Sequence, residues 1–130
     1  MEHNIQVGME HTVEYTVTME LSAEAVGSGS LPVYATPYMI ALMEKASEQC
    51  VIGGLADGFG TVGTEVDIKH IAATPLGMKV TAHAVLKEIN GRQLVFDVRV
   101  CDEKEEIGNG SHTRFIIDKA KFMERVNAKL

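Results

Sequence analysis

The sequence predicts an α+β protein in which a five-stranded antiparallel sheet wraps around one long central helix. The first observation is that residues 35–55 are apolar almost all round, and a helix of that kind is usually enclosed by other structure. The second is that five further segments have the composition of strands, most of them alternating apolar and polar residues. Four of these segments follow the helix and are joined mostly by tight turns, which favours antiparallel pairing.

The first strand is predicted at residues 11–19. Its apolar residues alternate with threonines and a glutamate, and they are Val13, Tyr15, Val17 and Met19. Such alternation is typical of a strand with one buried face.

Residues 21–34 connect the first strand to the helix. Within them, residues 27–30 read Gly-Ser-Gly-Ser and have the most flexible composition in the chain. A flexible segment just before a helix is either a lid over a binding site or a plain connection, and the residues alone leave both interpretations open.

The central helix is predicted within residues 35–55. Thr36 suits an N-cap, and Pro37 suits the first helical position because it needs no amide partner there. Gly53-Gly54 provides a stop signal. Apolar residues recur at spacings of three and four, which predicts a buried face made of Met39, Ile40, Met43, Ala46, Cys50 and Val51.

The second strand is predicted at residues 61–71, after a glycine-rich turn. Alternation places one set of side chains on a single face, namely Val62, Thr64, Val66, Ile68 and His70. His70 is therefore expected to point into the protein together with its apolar neighbours.

Residues 78–89 and 93–101 are predicted to form a hairpin. Asn90-Gly91 lies between them and is a strong turn signal, because both residues tolerate positive φ. The predicted inner faces contain Met78, Val80, Ala82, Ala84 and Leu86 in the first strand and Leu94, Phe96, Val98 and Val100 in the second.

A last strand is predicted at residues 106–118, followed by a short amphipathic helix at residues 119–130.

Length and charge exclude several classes of protein. The 130 residues correspond to one domain, residues 1–130, and the net charge of −6 argues against broad nucleic-acid binding. No run approaches the ~20 apolar residues of a membrane span. Cys50 and Cys101 are isolated, so we expect them to be reduced thiols of a cytoplasmic protein. The first residues are polar, so no signal peptide is expected.

Four polar residues are candidates for chemistry, namely Thr36, Glu44, His70 and Arg114. Each also has a structural explanation, such as a helix cap, a solvated carboxylate or a hydrogen-bonded strand residue. A glutamate and a histidine on two elements that meet are residue types used in general acid–base catalysis. The other histidines lack ligand spacing, so no metal site is expected.

Three segments carry a resemblance to a known family. They read A-T-P-Y-M-I-A-L-M-E at residues 35–44, G-T-V-G-T-E-V-D-I-K-H-I-A-A-T-P-L-G at residues 60–77 and E-I-G-N-G-S-H-T-R-F-I-I at residues 106–117. Together they resemble the fluoroacetyl-CoA thioesterase-like branch of the hotdog-fold thioesterases, over about residues 7–121. The resemblance implies a hotdog fold and a homodimer with its active sites at the subunit interface.

The resemblance also implies which residues act. The family's catalytic Thr, Glu and His match Thr36, Glu44 and His70, and its site glycine and arginine match Gly63 and Arg114. The implied reaction is hydrolysis of a short acyl-CoA to free acid and CoA, without cofactor or metal. Glu44 or His70 would be the general base acting on water or on Thr36. Gly63 would admit the acyl group close to the backbone, and Arg114 would hold a CoA phosphate or pair with a carboxylate on the sheet.

The connection at residues 21–34 departs from the fluoroacetyl-CoA enzyme. It is shorter, rich in Ser and Gly, and lacks the aromatic residues that a tight gate over a small fluorinated acyl group needs. A different short acyl-CoA is therefore the expected substrate. The first alternative is a non-catalytic hotdog module that binds acyl-CoA or has a regulatory role. The second is a hotdog hydratase, but the Asp-His pair that it needs is missing. The third is a structural protein without a ligand.

Overall fold

The computed structural model describes residues 3–130 and contains one five-stranded antiparallel sheet with the strand order β1-β3-β4-β5-β2. The strands are β1 (Glu10–Thr16), β2 (Phe59–His70), β3 (Lys79–Asn90), β4 (Gln93–Cys101) and β5 (Glu106–Asp118). The helices are α1 (Ala23–Val26), α2 (Thr36–Val51) and α3 (Lys119–Asn127), with short 3-10 turns at Met19–Leu21 and Ile52–Gly54. The predicted α+β class, with a five-stranded sheet around one long helix, is confirmed.

Helix α2 packs across the inner face of the sheet and forms the core with it. Its buried side chains are Met39, Leu42, Met43, Ala46, Ser47 and Val51. They meet the buried residues Val80, Ala82, Ala84 and Leu86 of β3 and Leu94, Phe96, Val98 and Val100 of β4. The inner faces predicted for β3 and β4 are confirmed, apart from the half-buried Met78. Burial of one large apolar side chain contributes about 1.5–3 kcal/mol, so this contact dominates the stability of the fold.

Strand β1 is shorter and more exposed than predicted. It ends at Thr16, and the chain then enters the turn Met19–Leu21. Tyr15 is 51% exposed and Met19 is 53% exposed, while Val17 is fully buried. The prediction failed here because β1 is an edge strand, with a neighbour on one side only.

The connection at residues 21–34 is a folded flap with both ends fixed. Ser22 caps α1 by accepting a hydrogen bond from the Ala25 amide at 3.2 Å. At the far end, the Tyr34 amide donates to the Thr74 carbonyl at 2.9 Å, and the Ala35 amide donates to the Leu21 carbonyl at 2.9 Å. The flap therefore folds back on itself in front of α2.

A β-bulge in β2 changes which side chains face the helix. Thr64 is an extra residue, because Gly63 pairs with Arg114 and the next pair is Glu65 with Thr113. Residues directly opposite in an antiparallel pair share a face. Val66, Ile68 and His70 therefore share the inner face with Gly63, whereas the alternation had predicted Val62 and Thr64 there.

A second bulge moves the hairpin turn. Lys87 is the extra residue in β3, between the Leu86–Phe96 and Glu88–Val95 pairs. Because one residue is added to β3, Asn90 pairs with Gln93 and the two-residue loop is Gly91-Arg92. The hairpin is confirmed, but its turn lies one residue later than predicted, with Gly91 at a φ of +64°.

Gly110 on β5 is a strict steric requirement of the β2–β5 pairing. A Cβ at this position would overlap the carbonyl oxygen of Asp67 and lie 2.6 Å from the Cα of Ile68, and the φ of Gly110 is +154°. We expect Gly110→Ala to lower the free energy of unfolding by about 2–4 kcal/mol in urea titrations.

The matched control is Gly53→Ala, because a Cβ at Gly53 meets no atom within 4 Å. We expect the control to change the free energy of unfolding by less than about 0.5 kcal/mol. Similar urea midpoints for the two variants would contradict the steric argument.

Candidate active site

Thr36 and His70 meet at the start of α2 and the end of β2. The Thr36 Oγ1 atom lies 2.7 Å from Nδ1 of His70. The prediction that Thr36 is the N-cap is wrong, because Ala35 occupies that position and Thr36 is the first helical residue. Its hydroxyl is therefore free of a capping role and is directed to the histidine.

The surroundings of His70 favour a neutral imidazole. Burial lowers the pKa of His70 below its usual value of 6.5, and the backbone of Ala72 opposes part of this shift. Nε2 of His70 is buried without a hydrogen-bond partner in residues 3–130. A neutral ring has one nitrogen that accepts, so Nδ1 can accept the hydrogen bond of the Thr36 hydroxyl.

The Thr36–His70 pair lines an open cavity of about 350 Å³. The flap contributes one wall through Ser28 and Val33, and the segment after β2 contributes Ile71 and Ala72. The flap therefore borders the Thr36–His70 pair, as the lid interpretation of residues 21–34 requires.

Glu44 and Arg114 form a second polar cluster, between the middle of α2 and β5. Nη1 of Arg114 lies 3.8 Å from Oε2 of Glu44. The guanidinium is only 8% exposed, whereas the Glu44 side chain is 42% exposed. Nε of Arg114 donates to Oγ1 of Thr61 at 2.7 Å, and Nη2 donates to the Thr61 carbonyl at 3.0 Å. These contacts favour carboxylate pairing over phosphate binding as the role of Arg114, with the carboxylate on the helix rather than on the sheet.

Gly63 lets Glu44 approach β2 closely. A Cβ on Gly63 would lie 2.9 Å from Oε2 of Glu44 and 3.1 Å from Cε1 of His112. The first distance is too short for a real Cβ contact and the second is tight, so a larger residue would shift the flexible end of Glu44 and press on the imidazole.

The structure does not bring the two clusters together within one chain. Glu44 and Arg114 line a cavity of about 260 Å³ that shares no residue with the cavity at Thr36 and His70. Eight residues of helix separate Thr36 from Glu44, a rise of ~12 Å.

Sequence reasoning missed two residues of the second cluster, Thr61 and His112. Both contact Arg114 directly. His112 lies two residues before Arg114 on β5, so alternation alone would have placed them on the same face.

Comparisons with known proteins agree with this architecture. The sequence model of the FlK family, fluoroacetyl-CoA-specific thioesterase, matches residues 17–120. The fluoroacetyl-CoA thioesterase of Streptantibioticus cattleyicolor is 35% identical over 135 residues, which cover 99% of this chain and 97% of that protein. The chain belongs to the fluoroacetyl-CoA-specific thioesterase family. It is a thioester hydrolase, so the predicted enzyme class is confirmed.

Solved structures support the same assignment. A threonine-to-serine mutant of the fluoroacetyl-CoA thioesterase FlK in complex with acetyl-CoA matches with a TM-score of 0.91 and 33% identity, over 96% of this chain and 98% of that chain. A hot-dog-like protein from Thermanaerovibrio acidaminovorans matches with a TM-score of 0.88 at 17% identity, over 97% of this chain and 93% of that chain. The hotdog fold implied by the resemblance is confirmed.

The environment of His70 predicts an unusually acidic titration. Because the folded protein lowers the pKa of His70 below 6.5, the unfolded chain binds this proton more readily. The stability that neutral His70 contributes is therefore complete above pH 6.5 and is lost as the pH falls toward the lowered value. We expect the His70 ring resonance in proton NMR to titrate below pH 6.5.

Thr36→Val is the control for this titration, since it removes the hydroxyl but keeps the side-chain volume. Burial is the main cause of the shift, so the variant should also titrate below pH 6.5. A His70 midpoint above that value in the unmodified protein would contradict the assignment.

Proposed function

We propose that the protein hydrolyses short acyl-CoA thioesters to free acid and CoA, as a homodimer of single hotdog domains spanning residues 1–130. In this proposal Thr36 and His70 of one subunit act with Glu44 of the second subunit. The observation that carries it is the 2.7 Å contact between the Thr36 hydroxyl and Nδ1 of His70. Family membership supplies the reaction class, and this contact supplies a nucleophile beside a base.

His70 acts as the general base in this mechanism. Its lowered pKa keeps the ring neutral near pH 7, ready to accept the proton of the Thr36 hydroxyl or of a water held by that hydroxyl. The attack converts the thioester carbonyl into an oxyanion. The positive end of the α2 dipole lies beside Thr36 and stabilises the developing negative charge, while the Tyr38 and Met39 amides are bonded to the Ala35 carbonyl. Protonated His70 then returns the proton to the CoA thiolate as the carbon–sulfur bond breaks.

When Thr36 is the nucleophile, Glu44 of the second subunit accepts a proton from water, and this water hydrolyses the acyl–Thr36 ester. The proton passes to the leaving Thr36 oxygen, and the free acid is released.

A second subunit is proposed because Glu44 lies ~12 Å along α2 from Thr36. Strand β2 supports this assembly, since it forms one edge of the sheet and ends at His70. Val66 on this edge is 41% exposed, and Ile71 just beyond it is 54% exposed. A long edge strand with exposed apolar side chains is suited to symmetric pairing with a copy of itself.

The proposed substrates include fluoroacetyl-CoA and other short acyl-CoAs. The named activity of the Streptantibioticus relative supports fluoroacetyl-CoA, and the FlK complex with acetyl-CoA supports a second short acyl group. Tyr34 is the one aromatic residue of the flap; it lines the cavity beside Ser28 and Val33, and its hydroxyl donates to the Tyr38 carbonyl at 3.1 Å. We therefore propose a range of short acyl groups rather than fluoroacetyl alone.

Free Cys50 and Cys101 and an acyl-CoA substrate support a cytoplasmic location.

Free-thiol release from acetyl-, propionyl-, butyryl-, phenylacetyl- and fluoroacetyl-CoA tests the function. We expect the unmodified protein to hydrolyse several of the short acyl-CoAs. The kcat should be at least ~100-fold lower in Thr36→Ala, His70→Ala and Glu44→Gln, because each variant removes a group from the chemical step. His83→Ala is the control for loss of a histidine, since His83 pairs with Glu10 away from both cavities, and it should keep full activity. Acyl-CoA binding without turnover of any member would refute the proposal.

Mixing two inactive variants tests whether the site is shared between subunits. Thr36→Ala and Glu44→Gln chains, refolded together, form mixed dimers in which one site keeps both Thr36 and Glu44. Random pairing should restore about one quarter of the wild-type activity, because half the dimers are mixed and each has one intact site. No recovery, with mixed dimers demonstrated by differential tagging, would mean that each site uses residues of one chain only.

A further inference from the structure

His112 is a buried histidine that the proposed mechanism does not use. It lies on the inner face of β5 and is only 1% exposed. Nδ1 of His112 lies 2.8 Å from the Glu65 carbonyl oxygen, and Nε2 lies 3.1 Å from Nη1 of Arg114. The ring therefore connects the strand just after the Thr64 bulge to the guanidinium that faces Glu44.

These two partners determine where the ring proton is. A carbonyl oxygen only accepts, so Nδ1 of His112 must carry the hydrogen that is donated to Glu65. A guanidinium only donates, so Nε2 must be unprotonated in order to accept from Arg114. Both bonds exist together only in the neutral Nδ1–H tautomer.

The surroundings of the ring favour that neutral form. Burial lowers the pKa of His112, and the positive charge of Arg114 lowers it further. The hydrogen bond to Glu65 and the charge of Glu44 act in the opposite direction. The ring of Phe96 on β4 lies 6.5 Å away, centroid to centroid.

Nη1 of Arg114 stands between two acceptors, Nε2 of His112 at 3.1 Å and Oε2 of Glu44 at 3.8 Å. Thr61 holds the other guanidinium nitrogens of Arg114. Thr61 sets the plane of the guanidinium, and His112 is the acceptor within hydrogen-bond distance of the nitrogen directed at the carboxylate.

We propose that His112 is a positioning residue of this thioesterase. As the neutral Nδ1–H tautomer it holds Nη1 of Arg114 in place, and Arg114 in turn orients the Glu44 carboxylate for the reaction. The inference rests on the proposed function of Glu44. Since Glu44 acts in the chemical step, loss of His112 should lower kcat more than it raises KM.

Two substitutions separate this role from simple packing. His112→Leu removes both hydrogen bonds, whereas His112→Gln keeps an acceptor near the position of Nε2. We expect His112→Leu to lower kcat about 10- to 100-fold, the range typical of residues that orient a functional group. We expect His112→Gln to keep a kcat at least ~5-fold above that of the Leu variant. His83→Gln, at the partly exposed histidine paired with Glu10, should leave kcat unchanged.

A double-mutant cycle with Glu44→Gln tests the coupling. If His112 acts through Glu44, adding His112→Leu to Glu44→Gln should cost less than ~2-fold in residual kcat. An equal loss in both backgrounds would identify a merely structural role and overturn the proposal. Full activity of Glu44→Gln alone would instead show that the proposed role of Glu44 is wrong, and the inference would fall with it.

A measurement on the unmodified protein does not depend on how the variants fold. Nitrogen-15 NMR of the His112 ring at pH 7 should show a protonated Nδ1 and an unprotonated Nε2. The opposite tautomer, or a doubly protonated ring, would overturn the proposal because neither can accept a hydrogen bond from Arg114.

Discussion

Contact between α2 and the inner face of the sheet is the interaction on which the rest of the structure depends. Met39, Met43 and Ala46 are fully buried between the helix and the sheet, so the helix cannot rotate about its axis without exposing them. Gly108 on β5 makes the fit closer, since a Cβ there would lie 2.5 Å from Sδ of Met39. Because rotation is fixed, the directions of Thr36 and Glu44 are fixed as well, although neither belongs to the core.

The inner face of the sheet is divided into an apolar and a polar region. The core lies mostly on β3 and β4 and is completed by Ile107 and Ile116 of β5, whereas Arg114, His112 and Thr61 form a polar region on β5 and β2. A buried guanidinium would be unfavourable without partners, and here Thr61, His112 and Glu44 compensate for its lost hydration. The polar region can therefore be specialised for chemistry while the apolar region supplies the stability.

The sequence predicted most of the helices and strands, because periodicity and turn residues are local signals. The bounds predicted for β4 and β5 are the observed ones. It did not predict the bulges at Thr64 and Lys87, since one inserted residue leaves the composition of a strand unchanged. The pairing of Thr36 with His70 followed from the family resemblance and not from spacing, because the two residues are distant in the chain. His112 was missed although alternation places it on the same face as Arg114, because its other partner, the Glu65 carbonyl, comes from a different strand.

The bulge at Thr64 also affects how related sequences should be compared. It reverses the inward and outward alternation halfway along β2, so odd-numbered positions face the helix before it and even-numbered positions after it. An alignment that shifts this strand by one residue would equate a buried position with a solvent-facing one over half its length. Tolerance to substitution along β2 should therefore follow two registers, and family members that lack the extra residue would present a different set of side chains to Glu44.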